Sequence, residues 1–128
     1  MHYKHNVSCE VLFMPVRSLI EFNVREGTEA AFKDAYLAHG FLSRAESAAG
    51  FLGGEFLQSD SDPSIFWATA LWATHDDYAA WQANYLTLFG AEALQNLTQF
   101  LTNTPHGFAL SVRATASEAR ASEETKNA

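Results

Sequence analysis

The stretch IFWATALWATHDDYAAWQANY, residues Ile65–Tyr85, decides how this chain folds. Its first eight residues, Ile65–Trp72, carry no charge and include several aromatic side chains, which predicts a buried strand. Aromatic residues then recur with helical spacing at Tyr78, Trp81 and Tyr85, which predicts one face of a helix. A buried strand that leads directly into an aromatic-faced helix forms one wall of either a solid core or a pocket.

The composition is that of one domain with an apolar core. The chain has 128 residues, 48% of them apolar, and a single cysteine that excludes an intrachain disulfide. Its net charge of −7 argues against nucleic acid or an anionic membrane as the main partner, because both need a basic patch. Because there is neither a secretory signal nor an apolar run of roughly 18–20 residues, we expect no membrane span and a cytoplasmic location. The five histidines show no HxH or HExxH spacing, so we expect no metal.

The segment before the opening stretch is predicted to form a strand, a helix and a second strand. Residues 16–24 alternate between apolar and polar side chains, which is typical of a half-buried strand. A helix is expected from about residue 29 to residue 46, in which Gly40 would either allow close packing or mark a kink. A second strand is expected over residues 51–58. The polar loop 59–64 joins this strand to the next one. Because the loop is so short, the two strands should be antiparallel.

Two helical segments and a strand are predicted from Thr74 onward. Thr74 is a suitable N-cap, with Asp76 and Asp77 in the first turn of its helix. A capping role is favoured over acid–base or metal chemistry for this acidic pair. Gly90 should break the helix before a third helical segment, and residues 108–112 should form the last strand.

The element order β–α–β–β–α–(α)–β predicts an α+β, ferredoxin-like fold, with helices on one face of a four-stranded antiparallel sheet. The domain is expected over residues 16–113. It would lie between an N-terminal extension, residues 1–15, and a flexible tail, residues 114–128, that is poor in apolar residues. The uncovered face of the sheet would carry residues such as Leu19 and Leu71. Burying that face against a second copy would give a homodimer.

Five motifs follow one another along the chain. They are REG at 25–27, EAAFKDAY at 29–36, AAGFLGGEFLQ at 48–58, ALWATHDDYAAW at 70–81 and TPHGFAL at 104–110. Together they resemble the antibiotic biosynthesis monooxygenase family over residues 16–112. The family's pre-helix glycine, its GF pair, its strand-end tryptophan and its helix aromatic residues fall on these positions: Gly27, Gly50, Phe51, Trp72, Tyr78 and Trp81.

The resemblance implies a dimeric α+β barrel with a pocket between sheet and helices in each subunit. It also implies a monooxygenase-like enzyme that uses dioxygen and no cofactor, and acts on a small aromatic, polyketide or quinone-type compound. In such enzymes the deprotonated substrate passes an electron to dioxygen, and the protein supplies orientation and an apolar pocket. Haem degradation, an activity of other members, is disfavoured because Ala91 stands where they carry a histidine.

The resemblance and the strand alternation together point to the site residues. Trp72 would stack on the substrate, Tyr78 would orient a substrate oxygen, and His39 is a candidate general base. The expected substrate-binding residues are Ile20, Phe22, Tyr36, Phe56, Ala68 and Trp81.

Two positions depart from the oxygenase branch of the family. That branch carries asparagine where this chain has Ile20 and, commonly, a second asparagine where it has Ala68. A second hypothesis is therefore a non-catalytic binding or interaction module whose pocket is only a filled core. This hypothesis predicts little cavity volume, and a cavity of several hundred Å³, as in ligand sites, would count against it.

Overall fold

The computed structural model describes residues 14–118 and residue 120. Its elements are β1 (Val16–Asn23), α1 (Glu29–Ala38), α2 (Phe41–Ala45), β2 (Phe51–Gln58), β3 (Ile65–Trp72), α3 (His75–Thr98) and β4 (His106–Ser111). Residues 116–118 and 120 also have helical backbone. Most of the predicted N-terminal extension and C-terminal tail lies outside the described residues.

The strands form one antiparallel sheet in the order β2-β3-β1-β4. β1 is central, so that Ile20 lies opposite Ala68 of β3 on one side and opposite Gly107 of β4 on the other. This strand order is that of a ferredoxin-like sheet, and the predicted α+β fold is confirmed. Within the described residues the sheet stays open at β2 and β4, so a closed barrel would require a second chain.

The helices cover one face of the sheet because alternate residues of β1 and β3 are buried there. Phe22 and Phe66 lie opposite each other on this face and are 5% and 1% exposed. Phe32 of α1 is fully buried, with its ring centroid 5.3 Å from that of Phe22 and 5.2 Å from that of Phe66. This aromatic cluster seats α1 on the sheet.

The prediction of one helix from residue 29 to residue 46 is wrong, because the chain turns at Gly40. Gly40 has a left-handed backbone, with φ of 69°, a conformation that glycine adopts without steric cost. The turn ends α1 and starts α2, whose Phe41 and Ala45 are buried. The last strand also begins two residues earlier than predicted, at His106.

Helix α3 begins and bends where the sequence predicts. The Thr74 hydroxyl oxygen accepts a 3.1 Å hydrogen bond from the Asp77 backbone N–H and donates one of 2.9 Å to the Asp77 carboxylate. Asp77 therefore serves the helix cap. Gly90 has a non-helical backbone (φ 84°, ψ 158°), and the helical segment beyond it carries the buried Leu97.

The other face of the sheet is not covered by any of the described helices. It carries a set of apolar side chains that we call the open sheet face, namely Leu19, Leu57, Trp67, Leu71, Phe108 and Leu110. Leu57, Phe108 and Leu110 are 42%, 44% and 49% exposed. Large apolar side chains thus meet solvent on both edge strands of this face, which also carries the charged residues Arg17, Glu21 and Glu55.

Candidate functional site

A cavity of about 380 Å³ lies between the covered face of the sheet and the helices. Its floor is built by Ser18 and Ile20 of β1 and by Ala68 and Ala70 of β3. Because three of these four side chains are small, the strands leave room where larger residues would fill the core. The volume is within the range of small-molecule sites.

Helices α2 and α3 supply the roof of the cavity. Phe41 of α2 and both Trp81 and Tyr85 of α3 face it, as does Leu94 beyond the bend at Gly90. The exposed residues Gln82, Thr98 and Gly107 also belong to the lining. The cavity therefore opens to solvent between α3 and the start of β4.

Trp72 forms the inner wall at the end of β3 and is 1% exposed. Its indole N–H donates a 3.1 Å hydrogen bond to the hydroxyl oxygen of Ser18. Its ring centroid lies 6.1 Å from that of Tyr78 and 5.9 Å from that of Trp81. Because Ser18 already satisfies the indole N–H, Trp72 contributes only apolar ring atoms to the cavity lining.

Three tyrosines, Tyr36, Tyr78 and Tyr85, line the cavity. Burial raises the pKa of all three phenols above the usual value, and raises the pKa of Tyr85 to about 12. The neighbouring Tyr85 raises the pKa of Tyr36 further. All three hydroxyls therefore stay neutral near pH 7 and can donate hydrogen bonds.

The cavity lining is uncharged, since it contains no Asp, Glu, Lys, Arg or His among the described residues.

Among all the described residues, no three His, Cys, Asp or Glu side chains converge as metal ligands. No described helix has both the length and the apolar character needed to cross a membrane.

Seven of the nine predicted site residues line the cavity: Ile20, Phe22, Tyr36, Ala68, Trp72, Tyr78 and Trp81. The structure does not place the other two there. His39 caps the end of α1 and is half-buried, with its ring 5.8 Å from that of Phe41. The turn at Gly40 directs Phe41, and not His39, inward. Phe56 lies behind Tyr36, to which it stacks at 4.1 Å.

The sequence predictions missed several lining residues. Two of them carried a usable signal, because Ser18 alternates with Ile20 along β1 and Tyr85 continues the helical stripe of Trp81. Phe41 carried none, since its inward direction depends on the helix break before it.

The family model described as antibiotic biosynthesis monooxygenase matches residues 15–86. No curated protein matches the chain.

Solved structures with the same fold are similar at low identity. SnoaB, a cofactor-independent oxygenase from Streptomyces nogalater, is 21% identical, with 82% of this chain and 99% of that chain covered and a TM-score of 0.62. Rv0793 from Mycobacterium tuberculosis is 13% identical, with 80% of this chain and 98% of that chain covered and a TM-score of 0.64. A Nitrosomonas europaea protein that is described as an antibiotic biosynthesis monooxygenase is 20% identical, with 78% of this chain and 91% of that chain covered and a TM-score of 0.63.

Proposed function

The chain belongs to the antibiotic biosynthesis monooxygenase family, and on that premise we propose that it oxygenates a small aromatic, polyketide or quinone-type compound with dioxygen and without a cofactor. The observation that carries this proposal is the cavity of about 380 Å³ with Trp72, Trp81 and three tyrosines in its lining. A flat aromatic substrate would bury its faces against these rings. The similarity to a cofactor-independent oxygenase supports the same reaction class.

The proposed reaction draws all its electrons from the substrate. A ring CH₂ that lies between two aromatic rings and opposite a carbonyl, as in an anthrone, loses a proton to give a carbanion, which passes one electron to dioxygen. The resulting radical and superoxide combine through a new C–O bond, and the peroxide takes up a proton. Loss of the second C–H proton, with cleavage of the O–O bond, leaves a C=O group and one water. The net change is CH₂ + O₂ → C=O + H₂O.

The protein's part in this reaction would be orientation and exclusion of water. Trp72 would hold the substrate ring, and the hydroxyl of Tyr78 would orient a substrate oxygen as a neutral donor. His39 was the predicted base, but its position outside the cavity does not favour that role. The described lining contains no charged side chain that could accept the proton. An acidic substrate would therefore release its proton to solvent.

Oxygen uptake with an anthrone, in buffer that contains a chelator and no flavin, tests this proposal. We expect the protein to exceed the rate without enzyme and to consume one O₂ per anthrone. The variant Ala68→Leu would fill the cavity floor and lower the rate about 100-fold, the loss expected when reacting groups are misplaced by 1 Å. Ala79→Leu, at an exposed position of α3, is the matched control and should keep the rate. Uptake no faster than in buffer alone would rule the proposal out.

We further propose that a second copy of the chain covers the open sheet face. Support comes from the exposure of Leu57, Phe108 and Leu110 on one face of the sheet, since a sheet face that leaves several large apolar side chains in solvent is unfavourable in a monomer. Sedimentation should give a dimer for the native protein, a monomer for Leu57→Glu, and a dimer for the control Leu86→Glu on α3. A native protein that sediments as a monomer would exclude this interface.

A binding protein without turnover is the second candidate. It is favoured by Ile20 and Ala68, which give an apolar floor at the two positions where the oxygenase branch carries asparagine. The filled-core version of this hypothesis is not supported, because the cavity has ligand-site volume. Anthrone that binds under air without oxygen uptake would favour this candidate.

A cytoplasmic location stays a prediction from the sequence.

A further inference from the structure

Tyr36 and Tyr85 both stack against Phe41 in one cluster of aromatic rings. The Tyr36 and Phe41 centroids are 5.3 Å apart with an interplanar angle of 28°, and those of Phe41 and Tyr85 are 5.7 Å apart at 22°. Phe56 also stacks on Tyr36, with centroids 4.1 Å apart and an interplanar angle of 7°. Packing of this kind restricts both phenol rings, so that their hydroxyls are held in place before a ligand arrives.

The hydroxyls of Tyr36 and Tyr85 lack hydrogen-bond partners within the described part of the chain, although both residues line the cavity. Every fully enclosed side-chain nitrogen or oxygen of the described residues does have a partner. The two hydroxyl oxygens therefore keep some accessible surface. For Tyr36, which is only 5% exposed, the cavity is the space that supplies it.

Both hydroxyls belong to residues that line the same largely apolar cavity, and neither is bonded to another group of the described chain. The neighbouring Ser18 hydroxyl differs, because it already bonds to the Trp72 indole. The phenol pair is thus a polar element of the cavity for which the protein itself supplies no partner.

We propose that Tyr36 and Tyr85 form a two-donor subsite that binds a carbonyl or phenolic oxygen of the aromatic ligand. The inference rests on the proposed function, whose substrate class it narrows to planar aromatic compounds with an oxygen substituent. The donors would favour such compounds over the bare hydrocarbon. They would also stabilise the charge on that oxygen when the substrate loses a proton, because hydrogen bonds to an anion are stronger than those to a neutral acceptor.

Binding of 1-naphthol and of naphthalene, measured by equilibrium dialysis without oxygen, tests the subsite. The two probes differ only in the hydroxyl group. We expect the ratio of naphthol to naphthalene affinity to fall about fivefold in Tyr36→Phe and in Tyr85→Phe. A fivefold change corresponds to the loss of one hydrogen bond that contributes about 1 kcal/mol. Naphthalene affinity should not change, whereas a merely structural role would weaken both probes together.

An unchanged ratio in both variants, or no binding of 1-naphthol to the native protein, would overturn the inference. Because dialysis needs no turnover, its outcome is separate from that of oxygen uptake. Selective naphthol binding without anthrone oxidation would reject the oxygenase and keep the subsite. Oxidation with an unchanged ratio would reject the subsite alone.

Discussion

The indole N–H of Trp72 and the hydroxyl of Ser18 are joined by a 3.1 Å hydrogen bond across β3 and β1. Both residues are buried, at 1% and 6% exposure. Ser18 in turn directs its own proton toward the Ala70 carbonyl, at 3.5 Å. This pair fixes the plane of the indole at the cavity wall, which makes Ser18 a positioning residue for any ligand that stacks on Trp72.

Replacing Ser18 by alanine should destabilise the protein by about 1–3 kcal/mol, because the indole N–H would lose its partner in a buried place. Urea unfolding measures this loss. Ser111→Ala, at an exposed position of β4, is the control and should stay within about 0.5 kcal/mol of the native protein. Equal stability of the two variants would show that the bond contributes nothing.

Tyr36→Phe should leave the stability of the unliganded protein within about 1 kcal/mol of the native value. The change removes a hydroxyl that lacks a partner in the described structure and keeps the ring that packs against Phe41 and Phe56. Tyr36→Ala is the contrasting variant and should lose about 3–5 kcal/mol through the cavity it creates. A loss of more than 1 kcal/mol in Tyr36→Phe would mean that its hydroxyl is already satisfied.

Alkaline pH should weaken the fold through the same tyrosines. Burial raises the pKa of Tyr85 to about 12 and the pKa of Tyr36 well above the unfolded value of about 10. Between these values the unfolded chain loses protons that the folded chain keeps, so stability is retained below about pH 10 and falls as the pH rises toward 12. The double variant Tyr36→Phe/Tyr85→Phe should show a shallower decline in urea unfolding. An equal fall of the unfolding free energy with pH in the native protein and the double variant would contradict the burial of these phenols.

Gly50→Ala should cost about 2 kcal/mol or more. Gly50 has φ of 79°, and a β-carbon there would collide with the Asp77 carboxylate that serves the Thr74 cap. The left-handed backbone costs about 1–2 kcal/mol for alanine, and a lost cap about 1 kcal/mol. Thermal unfolding measures the difference. Gly107→Ala, where a β-carbon meets nothing within 4 Å, should change little. A Gly50→Ala variant as stable as this control would contradict the described contact.

The sequence predicts the sheet better than the site. Alternation of apolar and polar residues predicts β1, and an uncharged run with aromatic residues predicts β3, because both patterns need only local information. The sequence suggests a possible break at Gly40, but a glycine inside a helix pattern can also be tolerated. It does not predict the direction in which the chain turns there. The pairing of Tyr36 with Tyr85 was inaccessible, because two helices distant in sequence meet only in the folded chain.

We propose above that the cavity beside Trp72 promotes insertion of an atom of dioxygen into an aromatic substrate. Mass spectrometry of the product formed from an anthrone under ¹⁸O₂, with chelator and without flavin, tests it most directly. We expect faster product formation than in the enzyme-free control, with one ¹⁸O atom in each new carbonyl group. Product that forms no faster than in the control, or that carries no ¹⁸O, would contradict it.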